Sequence, residues 1–168
     1  HELAKSPCTE TRSRIASQMN LHKETVRSLI KDDQIEVLRS LVNGRSCARV
    51  MTKEDVERYI STGDFDVVSG LINIIEDLTD LYEVCEKDWL CEKIAHLPDP
   101  AIRLELAESE DTSEFILKKL KNDPDFNVAE IAGETLKDIA VEDSDELDDE
   151  DEEWEEGDGF DDEEDIEI

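Results

Sequence analysis

The fold of this chain is decided by two stretches that share one pattern, IAHLPDPAIRLELA at residues 94–107 and LKNDPDFNVAEIAG at residues 120–133. Each copy runs from the end of one helix, through a turn that contains Asp and Pro, into a second helix. Proline lacks a backbone N–H and disfavours helical geometry in the residue before it, so the turn ends the first helix. The copies start 26 residues apart, a period typical of helical repeats.

Two earlier segments, residues 30–42 and 60–72, follow the same frame with Asp or Gly in the turn. Their wider spacing places insertions near residues 45–50 and 76–83. The equivalent first-helix positions of the four units are Val26, Val56, Leu90 and Ile116. In each unit, apolar side chains recur at i and i+4 on one helix face. One such unit cannot bury its own apolar face, whereas four stacked units can.

These repeats predict an all-α protein, a short right-handed α-solenoid of about four and a half degenerate two-helix repeats. We place the repeat domain at residues 11–140, between an N-terminal extension at residues 1–10 and an acidic tail at residues 141–168. We expect this tail to be disordered, because its density of like charges opposes burial of apolar surface.

Two N-cap patterns agree with the predicted starts of first helices. Thr52 stands three residues before Asp55, and Asp111 stands three residues before Glu114. This spacing is typical of a capping box, in which the two residues satisfy each other's backbone N–H groups.

Residues 102–120, IRLELAESEDTSEFILKKL, resemble the leucine-rich repeat variant, a bacterial relative of HEAT-type solenoids. That repeat reads as an Arg-bearing helix ending in small residues, a polar turn, a second helix and an Asp-Pro-Asp turn. Residues 14–26 are similar and suggest a half-unit at the N-terminus. The resemblance covers about residues 11–140 and implies a solenoid, but this fold serves many functions.

The resemblance also implies one cofactor, because a member of that family binds an iron–sulfur cluster through a Cys-rich segment before its repeats. Cluster ligands come in close groups, whereas the four cysteines of this chain are dispersed. We therefore expect reduced structural thiols, no cofactor and no metal site, and keep an iron–sulfur repeat protein as an alternative. The cysteines are Cys8, Cys47, Cys85 and Cys91.

The chain ends in a strongly acidic segment. Residues 142–168 hold 19 of the 48 acidic side chains and no Lys or Arg, and the net charge of the whole chain is −30. Aromatic residues stand among these acids, and they predict a docking segment; a purely solubilising tail is the alternative. The candidate partner-binding residues are Trp154, Phe160, Asp161, Asp162 and Glu163.

The N-terminal third has the opposite balance. Residues 1–50 hold nine basic and six acidic side chains, so the molecule is electrically polarised. Such a field steers association with charged partners. The candidate basic surface consists of Arg12, Arg14, Arg27, Arg39, Arg45 and Arg49.

No Gly-rich phosphate loop or nucleophile elbow is present, and His22 and His96 lack partners at ligand or catalytic spacing. We therefore expect a non-enzymatic, cytoplasmic protein-interaction module. Its partner is predicted to be a basic protein, such as a nucleic-acid-binding protein, bound by the acidic surface and tail as a nucleic-acid mimic. We expect neither a membrane partner nor direct contact with nucleic acid. The alternative is a nucleic-acid-binding repeat protein that uses its basic N-terminal third and is autoregulated by the acidic tail.

Overall fold

The structure is a computed structural model that describes residues 2–145, with side chains described from Glu2 to Ala140. This part of the chain is all-helical and contains no strand, which confirms the all-α class. The predicted partner-binding residues lie outside the described residues: Trp154, Phe160, Asp161, Asp162 and Glu163. The α-helices are α1 Thr9–Ala16, α2 Lys23–Ile30, α3 Ile35–Asn43, α4 Lys53–Ser61, α5 Phe65–Ile72, α6 Lys87–Ala95, α7 Pro100–Glu108, α8 Glu114–Leu120 and α9 Phe126–Asp145.

The helices form the pairs that the repeated stretch predicts: α2 with α3, α4 with α5, α6 with α7, and α8 with α9. The second helix of each pair also contacts the second helix of the next, so that α1, α3, α5, α7 and α9 contact one another in series. A single 3₁₀ turn, Glu2–Lys5, precedes α1 and packs on it. The predicted insertion near residues 76–83 contains a π-helical turn, Asp77–Leu81.

The core is aliphatic and lies between the helices of each pair and between successive pairs. The predicted i and i+4 faces are buried: Leu90 and Ile94 on α6, for example, are fully inaccessible. On α9, Val128 and Ala132 are fully inaccessible, whereas Ile131 is half-buried. At about 25 cal/mol per Å² of apolar surface, burial of such faces is the main term that holds the pairs together.

One of the two predicted capping boxes is confirmed and the other is wrong. At the start of α4 the N–H of Asp55 donates to Thr52 Oγ1 (3.3 Å), and the N–H of Thr52 donates to Asp55 Oδ2 (3.0 Å). Asp111 caps nothing, because α8 starts at Glu114 with Ser113 as its N-cap residue. The reason is Thr112, which is buried and donates from Oγ1 to the carbonyl of Leu106 (2.7 Å), so the chain turns inward before the helix begins.

Three arginine–aspartate pairs tie a helix to the turn inside the next helix pair. Arg12 donates from Nε to Asp32 (2.6 Å), Arg39 from Nη2 to Asp64 (2.6 Å) and Arg103 from Nε to Asp123 (2.8 Å). Each pair is bidentate, since a second guanidinium nitrogen donates to the other carboxylate oxygen. Bidentate, charge-assisted bonds are stronger than neutral ones and fix orientation. We call this the Arg–Asp ladder.

The carboxylates of the ladder are held in their charged form. The hydrogen bond from Arg103 lowers the pKa of Asp123, and the bond from Arg39 lowers that of Asp64. Burial raises the pKa of Asp32, but hydrogen bonds from Arg12 and from backbone N–H groups outweigh it, and the pKa is lowered.

The long connections between pairs lie together on one side, which we call the loop edge: residues 17–22, 44–52, 73–86 and 109–113. Ser46 Oγ donates to the carbonyl of Gln18 (3.2 Å), and Arg45 contacts Asp77 (3.2 Å). Farther along, Ser113 Oγ donates to Asp88 Oδ1 (2.5 Å). The first three connections are thus joined in series, and the fourth is joined to the start of α6.

Among the residues that the structure describes, no helix combines the length and the apolar character needed to cross a membrane.

Replacing Arg103 with alanine should destabilise the fold, because Asp123 is then left almost fully buried without its partner. Loss of one member of a buried pair typically costs about 3 kcal/mol. We expect a decrease of this size in the free energy of unfolding, measured by urea denaturation. Arg14→Ala is the matched control, since Arg14 is exposed on α1, and its effect should stay within about 0.5 kcal/mol. Equal effects of the two substitutions would contradict a structural role for the ladder.

The ladder also predicts a pH dependence. Because the pKa of Asp123 is lower in the folded state, its contribution is complete above the unfolded pKa of about 4 and is lost as pH falls through the folded value. The difference in unfolding free energy between wild type and Asp123→Asn should therefore be constant near neutral pH and shrink below about pH 4. Using the difference removes the shared effect of the many exposed carboxyls. A difference that stays constant down to pH 2 would contradict the assignment.

Candidate binding surfaces

The arginines of the predicted basic surface fall into two groups. Four of the six are engaged: Arg12 and Arg39 in the ladder, Arg45 with Asp77, and Arg49 with the carbonyl of Leu21. The other two, Arg14 and Arg27, are exposed and form no ion pair with any described side chain. The structure therefore does not bring all six together as one free cationic face. Whether this side binds an anion stays a prediction.

An acidic cleft of about 500 Å³ opens at the C-terminal end of the described chain. It lies between the 109–113 connection and the later turns of α9, where Thr135 Oγ1 donates to the carbonyl of Ala107 (2.8 Å). Lys87 stands at the cleft as a cation. The carboxylates that line it are Glu108, Glu110, Asp111, Glu114 and Asp138.

Most of these carboxylates are uncompensated. Glu114 pairs with Lys118 (2.7 Å), whereas the others form no ion pair with any side chain up to Ala140. Lys87 itself faces Asp80 at 3.7 Å. The α9 helix runs past the cleft to Asp145, and the acidic segment at residues 142–168 begins on it. The cleft and the acidic chain end are thus continuous in sequence and share one sign of charge.

A second surface, on the loop edge, has the opposite character. We call it the arginine groove, lined by Met19, Asn20, Gly44, Arg45, Ser46, Arg49 and Tyr82. No carboxylate stands among the described residues that line it, although acids outnumber bases in the chain by 48 to 18. Two of its side chains are large, apolar and exposed: Met19 is 75% accessible and Tyr82 is 43% accessible.

The backbone around the arginine groove is unusual. Asn20, Arg45 and Glu83 have φ values of 60°, 55° and 49°, the left-handed region that glycine adopts most easily. Two of these residues line the groove and the third follows Tyr82 directly. Glycine would be the least strained residue at position 45. The backbone conformation therefore does not explain why an arginine stands there.

The four cysteines do not form a cluster site. Cys8 is exposed at the start of α1, Cys47 and Cys91 are buried in the core, and Cys85 is half-buried. Among the described residues no three His, Cys, Asp or Glu side chains lie close enough to share a metal ion. The residues present therefore do not fit the iron–sulfur centre that the family resemblance implies.

The two histidines have local structural partners. His22 is the N-cap residue of α2, where Nδ1 accepts from the N–H of Glu24 at 3.4 Å. His96 is exposed after α6, with Nδ1 2.6 Å from the carbonyl oxygen of Glu92. Trp89 is half-buried and packs against the core, with the Lys53 ammonium of α4 4.2 Å from its ring centre.

Reasoning from the sequence missed the arginine groove and the ladder. The groove joins Met19 to Tyr82, which are distant along the chain, and no local pattern connects them. The ladder did leave a signal: Arg12, Arg39 and Arg103 stand at the same place in their units, nine residues after Leu3, Ile30 and Ile94.

Comparison of the chain with known protein families, with curated proteins and with solved structures found no match.

The cysteines should react with a thiol reagent at different rates and therefore in a fixed order. Hydrogen bonds with Thr11 at the start of α1 lower the pKa of the exposed Cys8, whereas burial raises that of Cys47 to about 12 and that of Cys91 to about 11. At neutral pH we expect iodoacetamide to modify Cys8 first, because the thiolate is the nucleophile. Cys47 and Cys91 should react only after unfolding in urea. Mass spectrometry of timed digests measures the order, and early modification of Cys47 would contradict the packing described.

Proposed function

We propose that this protein is a non-enzymatic interaction module that binds a basic protein segment through its C-terminal acidic surface. The observation that carries the proposal is the acidic cleft, whose uncompensated carboxylates adjoin the start of the acidic chain end. Carboxylates accept hydrogen bonds from Lys and Arg, and a dense acidic field accelerates encounter with a cationic partner. Trp154 and Phe160 would then supply the apolar anchors that charged residues lack.

We also propose that the helix pairs stack as a short right-handed α-solenoid of the leucine-rich repeat variant type. Two features support this arrangement: the serial contacts of α1, α3, α5, α7 and α9, and the Arg–Asp ladder that repeats between units. A solenoid of this kind presents a long surface for its size. Such a surface suits recognition of an extended, basic segment or a groove in a basic protein.

The sharper version of this function is mimicry of a nucleic acid. In that version the carboxylates of the acidic cleft and chain end occupy the phosphate sites of a nucleic-acid-binding protein, and affinity falls steeply with salt. The alternative, direct binding of nucleic acid by the N-terminal third, has less support. Arg12 and Arg39 are neutralised by the ladder, and each phosphate contact needs an available cation.

A binding experiment with full-length protein separates these functions. The probes are a fluorescein-labelled peptide rich in Lys and Arg and a labelled DNA duplex, followed by fluorescence anisotropy. Glu110→Gln/Asp111→Asn/Asp138→Asn should weaken peptide binding about tenfold or more, because three cleft carboxylates are lost. The duplex should not bind at physiological salt.

The matched control removes the same charge from another side: Glu24→Gln/Glu36→Gln/Glu54→Gln, three exposed residues in the first turns of α2, α3 and α4. It should weaken peptide binding less than about threefold, through the net charge alone. Equal losses of peptide affinity in the two triple variants would mean that net charge alone determines binding, and would contradict a site at the cleft. Binding of the duplex in preference to the peptide would favour the alternative.

The aromatic residues of the acidic segment have their own test. Trp154→Ala/Phe160→Ala leaves every charge in place, so a loss of about tenfold in peptide affinity would report anchoring by the rings. We expect this loss to persist at high salt, where the carboxylate contribution is screened. An unchanged affinity would leave the segment with a solubilising role and would contradict docking by these residues.

A further inference from the structure

The arginine groove has the composition of a binding surface for an acidic, aromatic segment. Arg45 and Arg49 are exposed guanidinium groups, and Met19 and Tyr82 are apolar side chains left accessible beside them. Arg45 shares its charge with Asp77, whereas Arg49 donates to the carbonyl of Leu21 and forms no ion pair with any side chain from Glu2 to Ala140. The groove is thus a cationic and apolar patch on a highly acidic molecule.

We propose that the occupant of the arginine groove is this chain's own C-terminal segment, residues 146–168, docked within the same molecule. The segment carries the complementary chemistry: acids throughout, with Trp154 and Phe160 between them. An aromatic ring packs well against a Tyr ring, a Met thioether and an Arg guanidinium, and all three are present in the groove. This autoinhibitory contact goes beyond the function proposed above, which concerns a separate partner.

The course of the described chain favours this occupant. The later turns of α9 lie beside the 109–113 connection, so the helix leaves the domain on the loop edge, where the groove is also found. The groove belongs to the connections that follow α1, α3 and α5. Contacts run from α9 through α7 and α5 to α3, and packed helices are about 9 Å apart, which makes a span of roughly 20–30 Å.

The length of the segment is sufficient for this span. An extended chain advances at most about 3.5 Å per residue, so the nine residues from Glu146 to Trp154 reach roughly 30 Å and Phe160 reaches farther. The groove is small, about 120 Å³. It therefore suits insertion of one ring from an extended segment better than docking of a helix or a second domain.

The charge on the rest of the molecule explains why the groove is a distinct target. At the C-terminal end of the loop edge, the acidic segment would face the carboxylates of the acidic cleft, and like charges repel. The arginine groove offers instead Arg49 and the partly compensated Arg45, and its described lining residues include no carboxylate.

Trp154 itself reports the docking. The chain has two tryptophans, so Trp89→Phe leaves Trp154 as the only tryptophan, which is excited selectively at wavelengths that the two tyrosines do not absorb. In this full-length background we would measure acrylamide quenching and the emission maximum at about 20 mM and about 500 mM NaCl, salt that screens exposed charges. Docking predicts a quenching constant about twofold lower at low salt than at high salt, with a shorter emission wavelength.

Variants of the groove provide the decisive comparison. Arg45→Gln/Arg49→Gln should raise the low-salt quenching constant to the high-salt value. Lys23→Gln/Arg27→Gln removes the same charge from exposed positions of α2 and should leave it at the value of the parent protein. Tyr82→Ser is a second groove variant that leaves the Arg45–Asp77 pair intact and should have the same effect as the arginine variant. Circular dichroism confirms that each variant is folded.

Three outcomes would overturn the proposal. Quenching that does not depend on salt would mean that Trp154 is not protected. An equal response to the groove and α2 variants would mean general charge attraction. Protection that disappears on dilution would mean that the segment occupies the groove of a second copy. Because no basic partner is added, failure here leaves the proposed external binding untouched, and the peptide titration can fail independently of this measurement.

Discussion

The Arg–Asp ladder is the constraint on which the rest of the structure depends. Arg12 and Arg103 are largely removed from water, and such a guanidinium group must face a carboxylate, because an unpaired buried charge is far more costly than the pair. The turn that contains the aspartate is therefore held at a fixed position against the preceding helix. Since Arg12, Arg39 and Arg103 each do this to the following unit, the ladder sets the register of three of the junctions, while aliphatic burial supplies most of the stabilisation.

The ladder is interrupted once, and the interruption coincides with the longest connection. Ser69 on α5 occupies the place of the arginine, and its hydroxyl donates to Glu105 Oε1 on α7 (2.8 Å). The connection that follows α5 is the one that contains the π-helical turn. A neutral donor cannot fix a turn as a bidentate guanidinium does. The junction between α5 and α7 therefore depends on apolar packing and on contacts of the first helices, such as Lys93 with Glu57 (2.7 Å).

The sequence predicted those parts of the fold that local chemistry determines. The helix pairs follow from i and i+4 apolar positions and from turns with Pro, Gly or Asp, and all lie within a few residues of each other. The cap at Asp111 was wrong because Thr112 turns into the core, and that depends on the carbonyl of Leu106.

Counting charges along the chain also failed at the N-terminal third. The count treated Arg12 and Arg39 as surface cations, although each faces an aspartate in the next unit.

The arginine groove depends on three connections that meet only after folding, so no window of sequence contains it. By contrast, the acidic cleft could be anticipated in part, since four of its carboxylates lie within residues 108–114.

The two proposed roles of the C-terminal segment are linked by exclusion. One segment cannot lie in the arginine groove and on an external basic partner at the same time, so docking within the molecule lowers the apparent affinity for that partner by the undocked fraction. Because the segment and the groove belong to one chain, docking is intramolecular, with an effective concentration of roughly millimolar. A low intrinsic affinity of the groove would therefore be enough to keep the segment docked. Only a partner with more numerous cations would displace it. Selectivity for strongly basic partners would then arise from competition inside the molecule, without a more elaborate binding site.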